Sequence, residues 1–246
     1  MKTYKGFALY DKSHITWLLM LACAAAAVLI AGRKGGKLRE NLKTGTVLAA
    51  LTGQLIVGGS RVLDGTYGLD TLPLHVCAFA CYGSVLHRFA SLKWGPWPRL
   101  TQIFFYPMLP GAICALLSPD WTPYDVLSPV SIGAFLVHAS IPTYILLCME
   151  EGSIRPDIRK CWVPVIFIVL YAAVMLPFDL HFKMNYGFLQ LPVPGSPLML
   201  IADIFGTGRG YLVGYMLGYV FLMLILYGVR QVFIWLIEKW KTHAAS

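Results

Sequence analysis

A histidine and two cysteines lie close together at the start of an apolar segment, in the stretch D-T-L-P-L-H-V-C-A-F-A-C-Y-G-S that begins at Asp70. Pro73 is typical of the first turn of a helix, because its missing N–H is one of the groups that a helix start leaves unpaired. With Asp70 or Thr71 as the cap, His75 and Cys77 fall in the opening turns. The positive end of a helix favours a thiolate, so the pattern predicts Cys77 as a nucleophile.

The spacing of these residues restricts which histidine can act as a base. His75 and Cys77 are two positions apart, which separates them by about 200° around a regular helix, so they cannot form a pair with each other. His138, inside a later apolar segment, is the candidate base from another helix. Cys77, Cys81 and Ser84 share one helical face, which lines a pocket if it is turned inward. The alternatives are a packed, inert thiol at Cys77 and a simple hydrogen bond from His138 to a backbone carbonyl.

Further polar residues lie near the end of the sixth apolar segment and in the connection that follows it. Such groups cost free energy in or beside a membrane, so each is a functional candidate. We expect His75 to stabilise an oxyanion, and Asp179 or Asn185 to orient a histidine. The predicted substrate-binding or orienting residues are His75, Cys81, Asp179, Asn185, Tyr186 and Asp203.

The composition is that of a membrane protein. Of the 246 residues, 57% are hydrophobic and only 13% are charged, whereas soluble domains carry about a quarter charged residues. The net charge of +8 comes from short basic clusters between apolar segments, which membrane topology explains, so we expect no nucleic-acid partner. The six cysteines have neither disulfide-framework nor zinc spacing, and we expect no metal and no cofactor.

Seven apolar segments are each near the length that a membrane-spanning helix needs. They are His14–Gly32, Thr44–Leu63, Thr71–Phe89, Leu100–Leu117, Val126–Cys148, Trp162–Pro177 and Tyr211–Ile237. The sequence therefore predicts an all-α polytopic membrane protein, a single domain over residues 1–246 with seven transmembrane helices.

The charges of the loops predict the orientation. Lysine and arginine concentrate in three loops, in the ranges 33–43, 88–99 and 155–160, and are sparse in the other three. By the positive-inside rule the rich loops are cytoplasmic, which places the N-terminus outside and the C-terminus inside. The candidate residues then lie in the outer half of the membrane. The long outer connection 181–210 is expected to be a lid or a re-entrant segment, with a short helix at Leu198–Phe205.

Three motifs resemble the YwaF-like family of bacterial multi-pass membrane proteins, whose eukaryotic relatives include a multi-pass acyltransferase that remodels ether phospholipids. They are L-P-L-H-V-C at Leu72–Cys77, F-L-V-H ending at His138, and N-Y-G-F-L…P…L-I-A-D-I-F-G over Asn185–Gly206. The resemblance implies a lipid-acyl active site, with a nucleophile matching Cys77 and a base matching His138. Ala139 stands where the family often has a second histidine, which argues against a metal-like role.

The leading hypothesis is a lipid acyltransferase or lipid esterase that uses a cysteine nucleophile and a histidine base near the outer leaflet of a bacterial cytoplasmic membrane. The alternative is a non-catalytic membrane carrier or ligand-binding subunit for a small substrate, and a purely structural membrane partner is a third possibility. In the first two readings the partners are membrane lipids and a lipid or small-molecule substrate.

Overall fold

The computed structural model describes residues 5–90 and 100–244, and all regular structure in these ranges is helical. This confirms the all-α class. The eight helices in these ranges are α1 Lys12–Gly32, α2 Gly36–Leu63, α3 Val76–Phe89, α4 Phe104–Leu117, α5 Pro129–Glu151, α6 Trp162–Phe182, α7 Leu198–Phe205 and α8 Arg209–Ala244. Short 3-10 turns lie at Leu69–Thr71, Ile158–Lys160 and Tyr186–Phe188.

Five of these helices, α1, α2, α5, α6 and α8, are long and apolar enough to cross a membrane. Helix α4 is a shorter apolar helix. Helix α3 has 14 residues, about 21 Å, which is less than the ~30 Å hydrocarbon thickness of a bilayer. The chain is therefore an integral membrane protein, while the count of seven spans and the direction of the termini stay predictions. Lys93 and Arg99, which contribute to the predicted orientation, lie outside the described residues.

Helix α5 is the centre of the bundle, in contact with α1, α2, α3 and α4. Its closest neighbour is α2, because Gly53 and Gly133 let the two backbones meet. A Cβ atom at Gly53 would lie 2.6 Å from the carbonyl oxygen of Gly133, and one at Gly133 would lie 2.7 Å from that of Gly53. Small residues permit this kind of packing between membrane helices.

The N-terminal segment fastens the loop between α4 and α5. The N–H of Phe7 donates to the carbonyl of Thr122 at 3.0 Å, and Nε2 of the buried His14 donates to that of Leu116 at 2.9 Å. Asp11 caps α1, where the Ser13 hydroxyl and the His14 N–H lower the pKa of its carboxyl to about 2. The cap and these contacts hold the start of α1 against the loop.

The connection after α6 contains the expected short helix, α7, at Leu198–Phe205. It packs on α8, where Gly214 and Gly218 leave room for it. A Cβ at Gly214 would lie 2.5 Å from Phe205 Cδ2, and one at Gly218 would lie 2.9 Å from Ile201 Cδ1. The lid or re-entrant role of this connection stays a prediction.

Candidate functional site

Cys77 is the second residue of α3, for which His75 is the N-cap. The expected helix start with its cap at Asp70 or Thr71 is wrong by about one turn. Leu72 is extended (φ −58°, ψ 139°), because the proline that follows it disfavours the helical conformation. The N–H groups of Val76 and Cys77 have no acceptor among the described residues, so the thiol lies beside free donors at a helix start.

His75 has only one ring nitrogen engaged. Its Nδ1 accepts a 3.4 Å hydrogen bond from the N–H of Gly187, which leaves the proton of the neutral ring on Nε2. The ring lies against Tyr186 and Phe188, with centroids 4.8 and 5.3 Å away. In the part of the chain that the structure covers, Nε2 has no hydrogen-bond partner. His75 therefore presents a free N–H donor.

His138 has the complementary arrangement. Its Nδ1 lies 2.7 Å from the carbonyl oxygen of Ala134, and since a carbonyl only accepts, Nδ1 carries the proton. This is the contact that the alternative interpretation gave for His138, a hydrogen bond to a backbone carbonyl. It also fixes the tautomer, which leaves the lone pair of Nε2 available, and no described residue occupies it. This is the protonation state that a general base requires.

Trp121, which the sequence did not single out, holds the ring of His138. The two rings stack with centroids 5.0 Å apart and an interplanar angle of 24°. Trp121 is only 5% exposed, and its Nε1–H has no acceptor among the residues that the structure describes. The signal in the sequence was a lone tryptophan in a short polar loop, S-P-D-W-T-P.

The structure brings the predicted pair into one region without a direct contact. Asp120, the neighbour of Trp121, interacts electrostatically with His75, Cys77 and His138, and the two histidines also interact with each other. Within residues 5–90 and 100–244, Cys77 and His138 make no hydrogen bond to each other. The region is therefore assembled from the start of α3, the middle of α5 and the loop between α4 and α5.

Asp179 is a fully buried carboxylate on the same side of the molecule. Its exposure is 0%, and it interacts electrostatically with His75. The backbone N–H of Tyr186 faces the carboxylate, but neither oxygen has a hydrogen-bond partner of normal geometry in the described chain. A buried carboxylate in this condition is costly, so it is a strong candidate for contact with a ligand.

Tyr186 and Asn185 have structural partners. The hydroxyl of Tyr186 donates to the carbonyls of Leu69 and Leu72, the latter at 3.0 Å, and so fastens the segment that leads into α3. The side chain of Asn185 bonds only within its own loop, to the backbone of Gln190 and Leu191. Its amide is engaged there and makes no hydrogen bond to either histidine.

The last two predicted residues, Cys81 and Asp203, differ in their burial. Cys81 is fully buried on α3, one turn after Cys77. Asp203 is exposed on α7, and it forms no hydrogen bond or ion pair within the described ranges. A cleft of about 550 Å³ lies between the end of α2 and the start of α5, where Asp64 and Asp125 line it, but none of the predicted site residues does.

The unpaired polar atoms define what the site can do. Buried polar groups in proteins nearly always have partners, so several without one in a single region indicate a place for a ligand. Here they comprise two carboxylate oxygens, an indole N–H, one imidazole lone pair and one imidazole N–H. No group of three or more histidine, cysteine or acidic side chains with the geometry of a metal site occurs among the described residues. We call the set Cys77, His75, His138, Trp121 and Asp179 the α3 site.

Comparison with known proteins gives one match. A model of the TMEM164 family matches residues 9–227, which include every residue of the α3 site. No curated protein and no solved structure matches the chain. The likeness to the YwaF-like family stays a prediction. Since the match covers most of the chain, the protein belongs to the TMEM164 family, a family of multi-pass membrane proteins.

Proposed function

We propose that the protein is a membrane-embedded lipid acyl-transfer enzyme with Cys77 as nucleophile and His138 as general base. The observation that carries the proposal is the tautomer of His138. Its Nδ1–H is bound to Ala134, so the free lone pair of Nε2 is directed away from its own helix backbone. The thiol that would use it lies at a helix start, where negative charge is stabilised.

The reaction has two steps. In the first, the thiol proton of Cys77 passes to Nε2 of His138, and the thiolate attacks the ester carbonyl of a phospholipid or another lipid ester. The carbon–oxygen bond breaks, and the leaving alkoxide takes the proton from the imidazolium. In the second, a lysolipid hydroxyl or water gives its proton to His138 and attacks the thioester, and the Cys77 thiolate leaves and takes that proton back from the imidazolium. The products are an acylated acceptor or a free fatty acid.

Groups in and beside the α3 site stabilise the charges that develop. The free N–H groups of Val76 and Cys77 and the Nε2–H of His75 are donors for the oxyanion of each tetrahedral intermediate. The carboxylate of Asp120 stabilises the imidazolium form of His138 by electrostatic attraction. The mechanism requires Cys77 and His138 to come into hydrogen-bond reach when substrate binds, as catalytic pairs often do.

The proposal includes the setting of the reaction. We place the α3 site in the outer half of a bacterial cytoplasmic membrane, with seven spanning helices and an external N-terminus. The connection 181–210 is then an outer lid. Its short helix α7 exposes large apolar side chains, including Leu200 and Ile204, which supports a position in contact with lipid. Kinship with the YwaF-like family belongs to the same proposal.

The test is native mass spectrometry after incubation with a mixed phospholipid extract. We compare the wild-type protein with the variants Cys77→Ser and His138→Ala, and use Cys148→Ser as the matched control because it removes another buried thiol. The expected result is a covalent acyl adduct, cleaved by hydroxylamine, in the wild type and in Cys148→Ser but not in Cys77→Ser. Equal turnover by Cys77→Ser and the wild type would refute the mechanism.

A ligand-binding or carrier function is the second candidate, and a specific observation favours it. Cys77 and His138 make no hydrogen bond to each other, whereas the buried Asp179 has no hydrogen-bond partner in the described part of the chain and suits the recognition of a small polar ligand. This function predicts a ligand that binds without a covalent bond, equally to the wild type and to Cys77→Ser, and that Asp179→Asn loses.

A further inference from the structure

Within residues 5–90 and 100–244, two buried tyrosine hydroxyls have no hydrogen-bond partner. Tyr106, on α4, is 0% exposed, and Tyr219, on α8, has a buried hydroxyl oxygen. Neither hydroxyl reaches any group in the described chain, and they do not bond to each other. A tyrosine buried in this way nearly always has a partner, either a protein group or an ordered water molecule.

Tyr219 belongs to a row of side chains that winds along α8. The row consists of Tyr211, Tyr215, Tyr219, Met223 and Tyr227, spaced four residues apart. Each step of four residues turns about 40° around the helix, so neighbouring members lie above one another while the row as a whole changes face. Tyr219, Met223 and Tyr227 pack into the same apolar cluster as Tyr106, so this part of the row faces the interior.

The backbone beside Tyr106 is also irregular. Residues Phe104–Met108 form a π-helical turn, which is wider than an α-helical one, and this turn contacts α8. Pro107 lies inside the turn and has no N–H to offer to a preceding carbonyl. The hydroxyl of Tyr106 therefore lies in a turn that itself lacks one hydrogen-bond donor.

The row leads from the α3 site into the C-terminal half of α8. Cys77, Tyr219 and Tyr227 all pack against the apolar cluster that contains Tyr106. Arg230 follows Tyr227 by three residues, about one helical turn. Polar groups thus follow one another from Cys77 to Arg230 through an interior that is otherwise apolar.

We propose that Tyr106 and Tyr219 bind internal water and form the middle of a hydrated path along α8, between Cys77 and Arg230. Water is the ligand that fits, because it donates and accepts at once and so satisfies two hydroxyls that do not reach each other. The path gives water access to Cys77 from the end of the bundle opposite the start of α3. It does not depend on whether Cys77 is a nucleophile.

The test is hydroxyl-radical labelling of the detergent-purified protein by a short X-ray pulse, read by mass spectrometry. Radicals form from water at the site, so buried residues beside bound water are labelled. Tyr144 is the matched control for Tyr106, since it is equally buried and its hydroxyl bonds to His87. We expect several times more labelling at Tyr106 than at Tyr144. Labelling at or below the level of Tyr144 would overturn the proposal.

Thermal stability gives a second test whose sign differs between a wet and a dry interior. Removing a hydroxyl that is bonded to water lowers the melting temperature, whereas removing one that is buried without any partner raises it. Tyr211→Phe is the control, because the Tyr211 hydroxyl donates to the carbonyl of Phe188 at 2.9 Å. We expect Tyr219→Phe to lower the melting temperature, as Tyr211→Phe does. An increase would show that the site is dry, and neither result bears on acyl transfer.

Discussion

Helices α3 and α5 carry two cysteine–histidine pairs at two levels. Cys77 of α3 and His138 of α5 lie in the same region of the bundle. His87 of α3 lies near Cys148 of α5. In each helix the second residue follows ten positions after the first, about 15 Å along the axis. In the first pair the cysteine is on α3 and the histidine on α5, and in the second pair the reverse is true. The two pairs can therefore be compared directly.

The second pair is embedded in a network with many partners. Sγ of Cys148 lies 3.9 Å from Nδ1 of His87, and the same nitrogen is hydrogen-bonded to the Tyr144 hydroxyl at 2.7 Å. Beside it, the ammonium of Lys43, only 6% exposed, pairs with Glu40 at 2.8 Å and also with Glu151. The charges at this end of the bundle are paired across α2, α3 and α5.

The comparison teaches that contact alone does not identify a reactive pair. Cys148 and His87 lie close together, but His87 is hydrogen-bonded to Tyr144, and the neighbouring Lys43 is paired with Glu40 and Glu151. In the first pair, the histidine keeps a free lone pair and the neighbouring Asp179 and Trp121 keep unused polar atoms. Unused hydrogen-bonding capacity is therefore the better indication of function, and satisfied capacity indicates a structural role.

The largest expected difference between the two levels is in the cysteines. Cys77→Ala should reduce phospholipid turnover by about 10³-fold or more, because the acyl-enzyme cannot form. Cys148→Ala should leave turnover within a few-fold of the wild type. Release of fatty acid or transfer to lysolipid, followed by mass spectrometry, measures both. Equal losses in the two variants would remove the distinction between the pairs.

The histidines should differ in the same way but less strongly. His138→Ala should lower kcat by about 10²-fold or more, since general base catalysis is lost. His87→Ala should lower the melting temperature, because Tyr144 loses its partner, and should change kcat little. Turnover of each purified variant below its own melting temperature separates the two effects. A normal kcat for His138→Ala would exclude it as the base.

Substitutions should change the free energy of unfolding most at the end of the bundle where Lys43 is paired with Glu40 and Glu151. Lys43→Ala leaves Glu40 and Glu151 without their shared partner, and since both are partly exposed we expect a loss of about 1–3 kcal/mol in the free energy of unfolding. The double variant with Glu151→Gln should recover part of it. Thermal unfolding in detergent is the measurement. A Lys43→Ala protein as stable as the wild type would mean that the network contributes nothing.

At the α3 site we expect a substitution to increase the free energy of unfolding instead of lowering it. Asp179→Asn removes a buried, unpaired charge, so the folded protein should gain about 1–2 kcal/mol while ligand binding or turnover falls. The same two measurements, unfolding and turnover, are made on one protein preparation. Loss of stability together with loss of function would show that Asp179 has a structural role instead.

The sequence predicts the helical class and the main candidate residues for physical reasons that can be stated. Long apolar segments give α1, α2, α5, α6 and α8, since burial in lipid requires both length and apolar character. The start of α3 is misplaced because Pro73 shapes the segment before the helix instead of beginning it. Local pattern gives no information about which polar atoms remain unpaired after packing.

His138 and Asn185 illustrate that limit. Sequence spacing identifies His138 as a candidate base, but only the contact with Ala134 determines its tautomer. Asn185 lies in a recognisable motif, yet its side chain is used by the backbone of its own loop. Both contacts are local, the first one helical turn back and the second within one loop. Which rotamer each side chain adopts to make them is nevertheless decided by packing, such as that of Trp121 on His138.

Trp121 provides the smallest and sharpest test, because sequence reasoning did not single it out and phenylalanine offers an aromatic ring without the N–H. Trp121→Phe keeps an aromatic ring against His138 but removes the indole N–H, which has no acceptor in the described chain. If that N–H binds substrate, KM should rise about five- to tenfold, equivalent to about 1 kcal/mol, with kcat nearly unchanged. Trp121→Ala should lower kcat as well, since it also removes the ring that holds His138. A normal KM for Trp121→Phe would limit Trp121 to positioning the base, and the α3 site would then bind substrate through Asp179 and His75.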